Sequence, residues 1–313
     1  MVPALFATVL FSVSVLFASR SVQVLGAARA NASRMVLAMI FLGGWAHTRG
    51  GGFGGAALPW FLLSGAIGFG LGDVSMFAAI SRIGPRLTIL LTQCLGTPIA
   101  GLAEYVFLGV APGVGEMGCV AVILGGVGLA LAPDEPLGGQ ERAGEGGKGG
   151  EGASRFRLGI LFGVGSAMGQ GLGAVVSRKA YGVAAAAGQW MDGGTAAYQR
   201  SVAGVVITLL FLGLMRGRER EGSREAGGWK RGWPLVVGNA VSGPFLGVAS
   251  FQWALLTTPS ATVLPIVATS PLVTMALAWG IQGVRPRRRA IWGGVMAVLG
   301  AVGLAWLREG RVV

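Results

Sequence analysis

Long apolar runs separated by short arginine-rich turns make up almost the whole chain. Ten such runs can be marked out, at residues 3–19, 34–46, 58–80, 87–108, 114–131, 158–176, 196–215, 233–255, 260–281 and 290–307. A helix crosses a bilayer with roughly 17–25 apolar residues. In lipid the backbone must satisfy its own hydrogen bonds. The pattern therefore predicts an all-α integral membrane protein with ten transmembrane helices. The second run is short, and its helix is expected to begin earlier, near Ala27. The first run has no basic residue before Arg20. It lacks the positive flank of a signal peptide and reads as a retained span.

The fourth and ninth runs share one punctuation. Pro85 and Pro259 open them, Pro98 and Pro271 lie inside, Gly109 and Gly283 close them, and Pro112 and Pro286 follow. The opening prolines, closing glycines and following prolines are each 174 residues apart. Weaker echoes run along the rest of each half. Ser19-Arg20 recurs as Ser177-Arg178, Arg34 as Arg200, and Pro59 and Gly72 as Pro234 and Gly247. An ordered series of this kind signals an internal duplication. Residues 133–156 are rich in glycine and charge and form a flexible linker. The expected organisation is a first five-helix repeat over 1–132, the linker, and a second repeat over 157–313. Five is odd, so the second copy must cross the membrane upside down. Two inverted five-helix repeats place a substrate site between them near the midplane.

Only 12% of residues are charged, against about 25% in soluble domains. The net charge of +12 sits in loops and forms no basic face, which excludes nucleic acid as a partner. The loops after runs 1, 3, 5, 7 and 9 hold 19 of the 25 basic residues. This bias supports the span count, because one missed helix would scramble it. By the positive-inside rule that side is cytoplasmic and both termini lie outside. The preference for arginine over lysine, with abundant Gly and Ala, suggests a GC-rich bacterial genome and a multi-pass protein of the bacterial inner (plasma) membrane. Cys94 and Cys119 lie inside apolar runs and form neither a disulfide framework nor a metal spacing. With His47 the single histidine, no metal and no cofactor is expected.

Two acids fall more than three residues inside predicted spans, Asp73 and Glu104. A carboxylate in a membrane helix normally faces a partner or water. Asp73 lies about 11 Å from the basic-side end of its helix at 1.5 Å per residue. It is a candidate for handling substrate or protons, or else a structural group beside Gly70 and Gly72. Glu104 falls near the opposite interface and reads as interfacial, at a depth where it does not meet Asp73. Gly70-Leu71-Gly72-Asp73 matches the GxGD of intramembrane aspartyl proteases, but that chemistry needs two carboxylates sharing a proton. Ser64 has no histidine base. No enzyme is expected. Ser12, Ser14, Gln93, Gln170, Asn239 and Gln252 are the uncharged candidates for substrate binding. Each could equally serve helix–helix packing. Pro98, Pro265 and Pro271 each remove a backbone hydrogen bond and are candidate helix breaks.

At Leu71-Gly72-Asp73, the Arg82 to Arg86 turn, the Pro98 helix and the Gly109 to Pro112 close, the sequence resembles the EamA family of the drug/metabolite transporter superfamily. Gly243-Pro244, Gly247, Gln252, Pro259, Pro265 and Pro271 continue the likeness, which covers nearly the whole chain. The resemblance implies export or exchange of a small metabolite, amino acid or drug-like solute by alternating access. It places helices 1, 3, 4, 6, 8 and 9 around the cavity. The partners it implies are that solute and the bilayer, with homodimerisation left open. Two features depart from the family. Val110 and Val284 stand where many members carry glutamate, and well-studied relatives in the superfamily keep both termini in the cytoplasm, which leaves the orientation open. A membrane-embedded sensor or assembly factor without transport is the alternative from another class.

Overall fold

The computed structural model describes residues 1–25, 27–110, 112–131, 149–215, 228–282 and 288–309. Every regular element among them is helical. The α-helices are α1 (Val2–Leu25), α2 (Ala27–Thr48), α3 (Leu58–Gly65), α4 (Val74–Leu108), α5 (Val114–Leu131), α6 (Gly149–Ala186), α7 (Gly193–Met215), α8 (Gly228–Ala240), α9 (Leu246–Thr257), α10 (Ser260–Val267), α11 (Ser270–Gln282) and α12 (Arg288–Glu309). A π-helical segment, Ala66–Asp73, joins α3 to α4, and a second, Val241–Phe245, joins α8 to α9. The two segments begin 175 residues apart, so the duplication extends to an unusual backbone feature.

Six stretches are long and apolar enough to cross a membrane: Leu58–Ile80, Leu87–Leu108, Ser154–Ala186, Gly193–Gly213, Trp229–Thr257 and Ser260–Leu277. Val2–Ala18 and Val114–Ala130 are apolar but shorter. The other two predicted runs lie in α2 and α12, 22 residues each, where arginines dilute the apolar character. Helix α2 does begin at Ala27. The predicted linker lies outside the described residues over 133–148, and its last residues, from Gly149, already belong to α6. Gly283 and Pro286 also lie outside.

Helix α4 is continuous from Val74 to Leu108, yet its contacts with α6 reverse along it. Gly173 of α6 faces Ser64 and Gly68, Gly169 faces Gly72, Gly165 faces Ser75 and Gly159 faces Ile83. Beyond that point Gly163 faces Leu91, Gly171 faces Gly96 and Ala100, and Arg178 meets Glu104. The chain therefore folds back between Ile83 and Leu91. Helix α6 runs antiparallel to the arm before the turn and parallel to the arm after it. Glycines line both contacts because they let backbones approach without a side chain between them.

Helix α1 repeats this relation with the opposite half. It runs parallel to α10 and α11, where Thr8 and Ser12 donate to the carbonyls of Ile266 and Ser270. It runs antiparallel to α8 and α9, with Leu25 against Gly232 and Phe11 against Gly247. Two further pairs cross between the halves: α2 with α7, Gly43 facing Tyr198, and α5 with α12, Gly126 facing Gly293.

The two inner prolines behave differently. Pro98 lies in the second arm of α4 with helical backbone on both sides of it. Pro271 is the second residue of α11, and Ala268-Thr269 separates α10 from α11. Local side chains explain the contrast. Thr269 and Ser270 donate to the carbonyls of Ile266 and Val267, offering the backbone an alternative to the helix. Thr97, beside Pro98, has a buried hydroxyl with no partner. Pro265 lies inside α10 without breaking it. At the other end, Gly109 closes α4 at φ +67°, the left-handed cap that a glycine adopts without strain.

Candidate functional site

The π-helical segment before Asp73 shapes the first charged cluster. A π-helix adds a residue to the turn and so widens it, and such segments gather at functional sites. Gly65 and Gly68 leave the space that Arg200 of α7 fills. The Arg200 carbonyl lies against Gly65 and its Nη2 against Gly68. Its Cζ stands 5.2 Å from the centroid of the Phe69 ring. Arg34 of α2 approaches from the other side, with Nη2 3.8 Å from Asp73 Oδ2. The Arg34 Nε donates to Asn31 Oδ1 at 2.8 Å. Arg200 lies within electrostatic range of Asp73, but its buried Nε has no hydrogen-bond partner. Arg34 and Asp73 each keep 17% of their side-chain surface accessible.

Glu104 builds the second cluster. It is fully buried, which corrects the interfacial reading. Its carboxylate accepts from Arg178 Nε at 3.1 Å, Ser260 N at 3.1 Å, Ser260 Oγ at 2.7 Å and Ala261 N at 3.0 Å. An anion at these first N–H groups caps α10 from a different helix. Arg178 Nη1 also donates to the Leu255 carbonyl at 3.0 Å. One carboxylate thus ties α4, α6, α9 and α10 together. The two acids belong to separate clusters, as their depths predict.

The same end of the bundle carries further ties between the halves. Asp192 caps α7, accepting from the backbone of Gly194 and Thr195, and takes a bond from Trp45 Nε1 at 2.9 Å. Gln189 accepts from Ala56 N, and Gln199 donates to the carbonyls of Gly52 and Gly54. Partial burial pushes the Asp192 carboxyl up, but the bonds from Thr195, Trp45 and Gly194 outweigh this and hold it below its ordinary value.

The uncharged candidates divide. Ser12 is committed to the helix break, donating to the Thr8 and Ser270 carbonyls. Ser14 and Asn239 are brought together, Ser14 Oγ donating to Asn239 Oδ1 at 2.6 Å. Gln252 is fully buried with both amide atoms unpartnered. Gln93 and Gln170 are partly buried, and Gln170 sits at the level of Gly72 and Asp73. The residues that sequence reasoning passed over are Arg34, Arg178 and Arg200, which it counted as loop charges. The signal was available, since each buried acid requires a cationic partner. Removing these three from the loop count leaves the charge bias intact. A groove of about 330 Å³, lined by Gly70, Leu71, Val74, Ser75, Ile207, Leu210 and Phe211, includes the exposed Leu71 and Leu210 and none of the charged residues of the first cluster. Among the described residues no group of His, Cys, Asp and Glu could hold a metal.

No curated protein matches this sequence. One solved structure, described only as "Crystal structure of protein", shares the fold with a TM-score of 0.73 at 16% identity, over 99% of this chain and 97% of its own. The model of the EamA-like transporter family matches residues 1–132 and again 157–306. Two matches covering most of a multi-helix membrane chain establish the assignment: the protein belongs to the EamA-like transporter family.

Proposed function

We propose that the protein is a secondary transporter, an exporter or exchanger, that moves a small polar or amphipathic metabolite by alternating access in the bacterial inner membrane. Ten spans form two inverted five-helix repeats, 1–132 and 157–313, which rock against each other around a midplane site. One observation carries this reading. The Pro98 arm of α4 and the α10–α11 span pass in opposite directions, with Gly101 facing Ala261 and Glu104 meeting Ser260. The crossed pairing of α1 and α6 with opposite halves supports the same two-fold relation. Helix α4 packs on α10, while α11 packs on α1 and α5. This favours a cavity closed at the Glu104 end and widening toward the arginine-rich loops. Asp73, Gln93, Gln170 and Gln252 are the predicted residues left to face solute. Ser12, Ser14 and Asn239 hold helices together.

The test is flux into proteoliposomes with a panel of small metabolites under imposed solute and proton gradients. Gradient-dependent uptake supports the reading. Absence of flux for every solute would overturn it in favour of a sensor or assembly role. Asp73→Asn separates coupling from binding: loss of pH dependence with transport retained assigns proton coupling to Asp73.

A further inference from the structure

Three arginines and two acids occupy the described helical interior around these clusters. Arg178 has Glu104, and Arg34 has Asp73. Arg200 is left over. It is 5% exposed, has no carboxylate within ion-pair distance, and its Nε has no acceptor. The duplication explains the imbalance. Arg34 and Arg200 are repeat counterparts, but the counterpart of Asp73, 175 residues on, is Val248. A buried cation without a counterion is costly, and such residues in membrane proteins mark solute pathways. The site is also built to hold this side chain. Gly65 and Gly68 make its space and the Phe69 ring receives its face. A guanidinium whose Nε–H is unpartnered is suited to a carboxylate.

We infer that Arg200 recognises the carboxylate of an organic monoanion, with Asp73 and Arg34 setting the local charge so that one negative group is balanced. The inference rests on the transporter reading and narrows its substrate class. The Phe69 ring against the guanidinium makes an aromatic monocarboxylate a suitable probe. Asp73 beside the arginines opposes a dianion.

The probe is sodium benzoate, with benzamide as its uncharged analogue and sodium chloride at matched ionic strength. Full-length purified protein is followed by thermal unfolding and by tryptophan fluorescence. Wild type is expected to show saturable stabilisation by benzoate and none by benzamide. Arg200→Gln is expected to weaken the benzoate response at least tenfold, and Arg200→Lys to restore part of it. Gly68→Ala places a methyl 2.8 Å from Nη2 and should weaken the response without removing charge, so the inference is tested even if Arg200→Gln does not fold. Equal stabilisation by benzamide, no response to benzoate in wild type, or a full response in Arg200→Gln would each overturn it. Binding without flux leaves this site standing and sinks the transporter reading. Flux of neutral or cationic solutes with no benzoate binding does the reverse.

Discussion

Glu104 is the residue whose removal the structure makes most consequential. In Glu104→Ala, four hydrogen bonds vanish at once, from Arg178, from Ser260 twice and from Ala261. Arg178 keeps only the Leu255 carbonyl. Breaking a buried ion pair by removing one partner costs about 3–5 kcal/mol. The Arg178 side chain is 20% exposed, so water compensates in part and the low end, about 3 kcal/mol, applies. Uncapping α10 adds about 1 kcal/mol. The expected loss is about 4 kcal/mol, a large fraction of a typical folding stability of 5–15 kcal/mol. Glu104→Gln keeps the shape and some acceptor capacity and should lose about half as much, as expected for exchanging a charge-assisted bond for a neutral one. Equilibrium unfolding in detergent gives both values. A double-mutant cycle with Arg178→Met isolates the pair, with an expected coupling of about 2 kcal/mol. The same carboxylate holds one end of the bundle shut, so a cysteine at the buried Ser260 should react faster with maleimide when Glu104 is replaced. A loss under about 0.5 kcal/mol, the range of an ordinary surface change, or additive effects of the two substitutions would refute the reasoning.

Three further outcomes follow from the packing and the caps. Gly169→Ala would set a methyl 2.3 Å from the Gly72 Cα, a backbone atom that cannot step aside, and should destabilise by about 1–3 kcal/mol. Gly182→Ala in the same helix meets nothing within 4 Å and should stabilise by about 0.5–1 kcal/mol. Thermal unfolding of the two variants side by side checks both signs. Asp192, whose carboxyl is held below its ordinary value, contributes stability that is complete above the unfolded aspartate pKa and fades as pH falls through the lower folded value. Acid titration of unfolding should show this limb in wild type and lose it in Asp192→Asn, which should also cost about 1 kcal/mol as a weakened cap. Ser12→Ala removes one donor to the Ser270 carbonyl and should cost about 1 kcal/mol in detergent unfolding.

The helical fold was legible because apolar runs are long and the backbone in lipid has few choices. The duplication was legible because proline and glycine recur at fixed offsets. The fold-back between Ile83 and Leu91 was also legible, since Arg82, Pro85 and Arg86 interrupt the apolar pattern even though the helical backbone does not stop. The charged clusters were not. Glu104 lies four residues before the end of its helix, a position that sequence alone reads as interfacial. Its burial depends on α10 beginning opposite it, a contact between residues 156 apart. Arg34 and Arg200 open their apolar runs and look like loop charges, but α2 and α7 each begin seven residues earlier. The break at Pro271 and its absence at Pro98 turn on Thr269 and Ser270, neighbours that spacing does not weigh.

The duplication also says where specific function should be sought. The two EamA-like repeats supply a frame in which a helix contact recurs: α1 packs on α8 to α11, and α6 on α3 and α4. What is made once cannot come from that symmetry. Asp73 and Glu104 occur only in the first copy, with Val248 and Ala278 at the corresponding offsets. The helix break occurs only in the second copy. The unpaired cation arises because both copies kept the arginine and one lacks the acid. A symmetric frame can face either side of the membrane with equal ease. If the protein alternates between two facings as proposed above, a carboxylate latch at one end only would make them unequal in free energy, and a cation without a counterion at one depth would favour an anionic solute. On the alternating-access mechanism proposed above, direction and selectivity would reside in these departures from the repeat, and the repeated contacts would supply the hinge.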